Sequence, residues 1–182
     1  MSTTGIRLTV RDYRERPDDS PRVELLDGAF VVTPSPTERH QAVVGNLYFL
    51  LRSFLQEHPR TGKLYVAPFD VYLSEHDVPQ PDLLVVLSAR TDRIREDGVH
   101  GPPDLVIEVL SPSMKAQDLT LKRKIYLRSG VPEYWIVDPK PETVAVHRLQ
   151  ERRSPTVFRT GERVAGQVLP QFRPAVTKIF AP

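Results

Sequence analysis

The chain has 182 residues, of which 40% are hydrophobic and 26% are charged, a composition typical of one globular domain of ordinary size. No apolar run reaches the ~18 residues of a membrane span, and the N-terminal residues lack the pattern of a secretory signal. The absence of cysteine excludes disulfides, thiolate zinc sites and cysteine nucleophiles, so a cytoplasmic location fits best. The net charge of +2 permits nucleic-acid binding without arguing for it.

The first predicted element is a β-hairpin at 22–36, where two apolar runs flank the short turn signal Asp27-Gly28. A helix is predicted next, at 37–58, because apolar side chains there recur at helical spacing. Thr37 is the expected N-cap of this helix, and Pro59 follows its end.

The rest of the chain alternates between apolar and polar segments. In chain order we predict strands at 63–75 and 80–88, and a polar loop at 89–101 with room for a short helical turn. A strand at 104–110, a helix at 113–130 capped by Ser113 and followed by Gly130, strands at 133–139 and 143–149, and a weakly alternating tail at 151–182 follow. This order predicts an α/β (mixed α+β) fold in which a sheet is flanked by two long helices. We expect one domain over 1–182, with its core at about 9–150.

One predicted strand carries an unexpected charge. The sequence 104–110 is a nearly continuous apolar run, which is typical of a strand buried on both faces, yet Glu108 lies in its middle. Strand alternation puts Asp104, Val106, Glu108 and Leu110 on one face. A buried carboxylate costs several kcal/mol unless a cation compensates it, so Glu108 requires a partner.

Asp82 and Lys122 are the candidate partners of Glu108. If the strands at 80–88 and 104–110 are neighbours, Asp82 and Glu108 converge at one edge of the sheet, and two carboxylates beside a main-chain carbonyl such as that of Val109 suit Mg²⁺ or Mn²⁺. In the following helix, Asp118, Lys122 and Tyr126 share one face that can project the lysine toward the carboxylates. This set of groups is suited to hydrolysis of a phosphodiester.

Four stretches, in chain order, carry a resemblance to a known family: "VELLDG", "FDVYLSEHDVPQPDLLVV", "PPDLVIEVLSPS", and an Asp118-x₃-Lys122-x₃-Tyr126 spacing followed by "GVPEYWIVDP". Together, over about residues 9–150, they resemble the Uma-type family of putative restriction endonucleases, within the PD-(D/E)xK nuclease superfamily. The resemblance implies a restriction-endonuclease-like mixed sheet flanked by helices, with the metal site on adjoining strands. It matches Asp82 to the superfamily aspartate and Glu108 to the glutamate.

The superfamily lysine would follow the glutamate by two residues, where this chain has Leu110. In the Uma-type pattern the lysine is moved to the next helix and matches Lys122, with Lys124 as a rival for the same role. The resemblance also matches Glu24 and His40 to motif positions. Glu24 is a candidate additional metal or water ligand. His40 is a first-turn residue of a helix, and such a histidine is more often a local hydrogen-bonding group than a catalyst.

Other charged residues have less specific interpretations. Asp104 begins a strand, which favours a capping or turn contact over catalysis. Phosphate-binding candidates are the arginines of the 89–101 loop and the cations of the 113–130 helix: Arg90, Arg93, Arg95, Lys122, Arg123, Lys124 and Arg128. No base-reading module accompanies them.

The preferred functional prediction is a Mg²⁺-dependent DNA endonuclease that uses Asp82, Glu108, Lys122 and Glu24. The alternative is a non-catalytic nucleic-acid-binding or assembly protein that keeps the nuclease fold. A carboxylate-pair glycosidase fits poorly, because it leaves Lys122 without a role. From the resemblance alone we expect a homodimer.

Overall fold

The computed structural model describes residues 7–17, 21–112, 116–151 and 153–182. These ranges contain a 3-10 helix at Ser88–Arg93 and the α-helices α1 (Val10–Arg14), α2 (Glu38–Glu57), α3 (Ala116–Arg128) and α4 (Val176–Ile179). They also contain the strands β1 (Val23–Leu26), β2 (Ala29–Val32), β3 (Gly62–Val66), β4 (Val71–Tyr72), β5 (Leu83–Leu87), β6 (Ile94–Arg95), β7 (Gly98–His100), β8 (Leu105–Val109), β9 (Glu133–Asp138), β10 (Thr143–Arg148) and β11 (Thr156–Phe158). Ser113, the predicted cap, lies outside the described residues. None of the described helices combines the length and the apolar character that a bilayer crossing needs.

The central sheet has six strands in the order β11-β10-β9-β8-β5-β3. β8 and β9 run parallel, and every other neighbouring pair in this sheet is antiparallel. The mixed α+β fold predicted from the sequence is therefore confirmed. β5 and β8 are neighbours, as convergence of Asp82 and Glu108 requires.

The two long helices cover opposite faces of this sheet. All of β8 is buried, and its residues Leu105, Ile107 and Val109 pack in one cluster with the apolar face of α2. Val106, on the other face, packs against Tyr126 of α3. Each fully buried aliphatic side chain stabilises the fold by roughly 1.5–3 kcal/mol, so the alternation in β8 fixes which face each helix covers.

The hairpin of β1 and β2 forms a separate two-stranded sheet with the predicted turn. Asp27 and Gly28 have φ angles of 52° and 77°, the left-handed pair that a two-residue hairpin turn needs. A Cβ at Gly28 would lie 2.9 Å from the Cβ of Arg7, so glycine also permits the N-terminal segment to cross the turn. The other edge of β1 meets the main chain at Val78.

The C-terminal tail packs into the main core. Phe172, Val176 and Ile179 join the cluster between α2 and the sheet. The buried carboxylate of Glu133 accepts hydrogen bonds from Trp135 Nε1 and from the main-chain N–H of Gln167, which anchors the tail against β9. The weak alternation of the tail sequence therefore corresponds to one short strand, one short helix and irregular packed chain.

Two segments differ from their predictions. The single strand predicted at 63–75 is wrong: β3 belongs to the central sheet, and β4 belongs to a three-stranded sheet with β6 and β7. Pro68 lies between β3 and β4, and proline has no N–H with which to continue a ladder. At 89–101 the 3-10 helix agrees with the short helical turn that the sequence allows, but the segment also contains β6 and β7, which are too short to show strand alternation in the sequence.

Candidate active site

Asp82 and Glu108 come together through the register of β5 and β8. Leu83 pairs with Ile107 in antiparallel register, which puts Asp82 across from Glu108 on the same face of the sheet. The Oδ2 atom of Asp82 accepts a hydrogen bond of 2.8 Å from the main-chain N–H of Val109. Both carboxylates line the same cavity. The convergence predicted from the sequence is thus found in the structure.

Lys122 reaches this point from α3. Its Nζ lies 2.9 Å from Glu108 Oε1 and 2.9 Å from Glu24 Oε1, and all three side chains are buried. Tyr126, one helical turn later, donates a hydrogen bond of 2.8 Å to the same oxygen of Glu108. The predicted shared face of α3 is therefore correct. Lys124, the rival lysine, is exposed and does not line the cavity.

The electrostatics of this cluster reflect burial and crowding of charge. Burial raises the pKa of Glu108 to about 7, against the lowering effect of the Lys122 ammonium, and the nearby charges of Asp82 and Glu24 raise it further. Burial lowers the pKa of Lys122, but the carboxylates of Glu108 and Glu24 raise it by more, so the lysine stays protonated. The cluster thus holds a fixed ammonium beside carboxylates that an additional cation would stabilise.

His40 supports Asp82 from the first turn of α2. Its Nε2 lies 3.3 Å from Asp82 Oδ2, and its main-chain N–H donates to the capping side chain of Thr37. Burial lowers the pKa of His40, but the hydrogen bond and charge of Asp82, together with Glu108 and the main chain at Val109, raise it above the ordinary value. Its Nδ1 is buried without a hydrogen-bond partner among the described residues.

A cavity of about 630 Å³ is lined by these groups. Its charged lining consists of Glu24, Asp82, Glu108, Asp118, Arg22 and Lys122. Among the described residues that line the cavity, four carboxylates outnumber two cations. The hairpin supplies an apolar wall that includes Leu26, Phe30, Val31 and Val32. The cavity therefore has an acidic inner side and an apolar outer side.

The oxygen atoms available to a metal are few. No cluster of three or more histidine, cysteine, aspartate or glutamate side chains is arranged to bind a metal within the part of the chain that the structure describes. Asp82 and Glu108, two of the four carboxylates in the described lining, lie next to the main chain of Val109. This donor set fits Mg²⁺, which keeps several waters and needs only one or two protein carboxylates.

Asp104 has a structural role. Its Oδ2 accepts a hydrogen bond of 2.8 Å from the main-chain N–H of Leu87, and its Oδ1 one of 2.6 Å from Arg90. These contacts join Asp104 to residues distant in the chain, so they are neither the capping contact nor the turn contact expected from the sequence. Arg93 donates to the carbonyl of Pro102, Arg128 pairs with Asp77 and Arg123 donates to His147, so with Arg90 four of the predicted phosphate-binding arginines make contacts within the protein.

Gln80 is a site residue that the sequence reasoning missed. Its main-chain N–H donates a hydrogen bond of 2.6 Å to Glu24 Oε1, the oxygen that also contacts Lys122. A signal was present, because Gln80 stands two residues before Asp82 and strand alternation puts the two on one face.

The family model described as "Uma2: Putative restriction endonuclease" matches residues 10–177. The chain belongs to the Uma2 family. No curated protein matches this Uma2 chain.

A crystal structure described as "a putative nuclease belonging to DUF820 from Anabaena variabilis" is similar to this Uma2 protein, with a TM-score of 0.81 and 21% sequence identity. The match covers 96% of this chain and 98% of that one. At this identity the likeness establishes the fold, and the family model establishes the membership.

Proposed function

We propose that this protein is a Mg²⁺- or Mn²⁺-dependent endonuclease that hydrolyses phosphodiester bonds of DNA. The observation that carries the proposal is that Asp82, Glu108 and Lys122, from three separate elements, meet at one cavity. Membership of a family described as restriction endonucleases supports a nucleic-acid substrate. A cytoplasmic location and a homodimeric state, both expected from the sequence, belong to the same proposal.

In this proposal, Asp82 and Glu108 hold the divalent cation, together with the main-chain carbonyl of Val109. Two carboxylates and one carbonyl leave positions for water and for phosphate oxygens, as Mg²⁺ prefers. When bound, the cation supplies Lewis-acid stabilisation of the negative charge that develops on the phosphate. The excess of carboxylates over cations in the described lining supports binding of a divalent cation at this cavity.

The reaction joins the oxygen of a water to phosphorus and breaks one ester P–O bond. The attacking water gives up a proton to solvent, and the leaving oxygen takes a proton from solvent. Lys122 presents a fixed ammonium that donates hydrogen bonds to the phosphate oxygens as their charge grows. Glu24 orients Lys122 through its 2.9 Å contact, and Tyr126 orients Glu108 through its hydroxyl. We therefore assign Glu24 to positioning of the lysine, in place of the extra metal or water ligand expected from the sequence.

Cleavage assays test the proposal directly. Wild type is incubated with supercoiled plasmid, single-stranded DNA and RNA in the presence of Mg²⁺, beside Asp82→Asn, Glu108→Gln and Lys122→Met. We expect each variant to lose about 100-fold or more of the activity, because each removes a group that acts in the transition state. Asp104→Asn is the matched control, since Asp104 is a buried acid on the same strand face as Glu108 but outside the cavity.

Equal cleavage by wild type and Glu108→Gln would identify the activity as a contaminant and contradict the proposal. Calorimetric titration with Mn²⁺ provides a second measurement that does not depend on turnover. We expect binding to wild type and to Asp104→Asn, and none to Asp82→Asn. Nucleic-acid binding without carboxylate-dependent metal binding would instead favour a non-catalytic binding protein.

A further inference from the structure

Arg22 lies on the wall of the cavity at the start of β1. Strand alternation puts Arg22, Glu24 and Leu26 on one face, and all three line the cavity. Two residues of strand place Arg22 about 7 Å from Glu24 along the chain. A cation therefore stands beside the proposed catalytic cluster and is separate from it.

Among the described residues, the cations that line the cavity are Lys122 and Arg22, and their charged groups have different partners. The charge of Lys122 is shared between the buried carboxylates of Glu24 and Glu108. Arg22 is exposed, and its Nε donates a hydrogen bond of 2.7 Å to the amide oxygen of Gln80, which is neutral. No carboxylate among the described residues forms an ion pair with Arg22. Its positive charge is thus available to an anion.

Gln80 is itself held in place, so the position of Arg22 is defined. The side-chain Nε2 of Gln80 donates to Asp70 Oδ1 at 2.6 Å and to the hydroxyl of Tyr13 at 3.1 Å. The Tyr13 hydroxyl donates to the same oxygen of Asp70. This network orients the amide oxygen toward Arg22 and leaves the two terminal nitrogens of the guanidinium for another acceptor.

We propose that Arg22 binds a phosphate that flanks the scissile one in a nucleic-acid strand, so that the strand follows the cavity face of β1. This inference rests on the proposed nuclease function. A nucleic-acid strand that enters the cavity meets more carboxylates than cations among the described lining residues. These carboxylates repel its phosphates unless a cation next to the reacting group offsets the repulsion. A guanidinium held by a neutral amide suits this role, since its free edge matches a phosphate in bidentate geometry.

The test is binding of short fluorescent single-stranded and double-stranded oligonucleotides without divalent metal, measured by anisotropy over a series of salt concentrations. We expect Arg22→Gln to weaken binding about fivefold and to reduce the slope of log affinity against log salt by about one. Arg22→Lys keeps the charge, so it keeps the slope while losing affinity.

Arg163→Gln is the matched control. Arg163 is also an exposed arginine bound to a neutral acceptor, the carbonyl of Arg173, but it does not line the cavity. We expect this variant to bind as wild type does. Thermal unfolding of all variants checks that the substitutions leave the fold intact.

The outcomes separate this inference from the proposed function. If Arg22→Gln and Arg163→Gln have the same affinity and salt slope, or if wild type binds neither oligonucleotide, the inference is overturned. If binding depends on Arg22 but Mg²⁺ produces no cleavage, the phosphate site stands and the nuclease proposal fails. If wild type cleaves, Arg22→Gln raises KM with kcat nearly unchanged, because Arg22 contacts a phosphate that does not react.

Discussion

Lys122 Nζ lies 2.9 Å from Glu108 Oε1, although the two residues are 14 positions apart and belong to different elements. The superfamily pattern expects this ammonium two residues after the glutamate, where the chain has Leu110. Here the ammonium reaches the carboxylate from α3, across the face of the sheet that carries Val106 and Glu108. The ammonium beside Glu108 therefore comes from a helix and not from the strand that carries the glutamate.

Replacing Lys122 by methionine should destabilise the fold by about 3–5 kcal/mol, because Glu24 and Glu108 are left buried without their cation. Urea unfolding followed by circular dichroism measures this free energy. Lys124→Met, an exposed neighbour on the same helix, should change it by less than about 0.5 kcal/mol. Equal effects of the two substitutions would contradict a stabilising role for the buried ammonium.

Placing a lysine at position 110 should partly restore cleavage to the Lys122→Met variant. Leu110 follows Glu108 by two residues on the same strand face, so a lysine there can reach the same carboxylate. We expect the double variant Leu110→Lys/Lys122→Met to cleave at least about tenfold faster than the single variant Lys122→Met. This ratio of initial rates corresponds to ~1.4 kcal/mol of activation free energy. Leu110→Met in the same background is the control and should restore nothing.

Asp104 should matter for stability and leave cleavage unchanged. Asp104→Ala removes the acceptor for the Leu87 N–H and for Arg90, which we expect to cost about 2–4 kcal/mol of unfolding free energy. The cleavage rate measured well below the unfolding temperature should stay within about twofold of wild type, since Asp104 does not line the cavity. Asp92→Ala, an exposed acid nearby, is the control for stability. Lost cleavage in folded Asp104→Ala would assign Asp104 to the site.

Asp77 should make stability depend on pH in the acid range. Burial raises its pKa, but Arg128, Ser74 and the main-chain N–H of Asp27 lower it by more, so the folded pKa lies below the unfolded value. A carboxylate with a lowered pKa in the folded state contributes its full stabilisation at pH values above the unfolded pKa of about 3.9. This contribution is lost as the pH falls through the folded pKa. Asp77→Asn should therefore be less stable than wild type by about 1–3 kcal/mol above about pH 5.

This difference should shrink as the pH falls below about 4, which unfolding curves of both proteins across the acid range will measure. A difference that stays constant with pH would show that the charge of Asp77 is not the stabilising feature. In an Arg128→Gln background, Asp77→Asn should lower the free energy of unfolding by less, because Arg128→Gln removes the two hydrogen bonds that Asp77 accepts from the guanidinium.

The success of sequence prediction varied between elements for identifiable reasons. The hairpin turn at Asp27-Gly28 was predictable because a two-residue turn needs positive φ, which glycine adopts freely. The division of 63–75 between two sheets was missed although Pro68 marks it, and the partners of β3 and β4 were not predictable because they are distant in the chain. The helix α1 was not predicted, although its sequence contains the capping box formed by Thr9 and Asp12.

The sequence by itself determined the local patterns of this protein: the alternation in β8 that isolates Glu108, and the helical spacing that puts Lys122 and Tyr126 on one face of α3. Only the tertiary structure decided which charges meet. Lys122 is paired with Glu24 as well as Glu108, and Arg22 donates to the neutral amide of Gln80. The physical reason is that periodicity reports the face on which a side chain lies, whereas ion pairs depend on register and on helix position across distant segments.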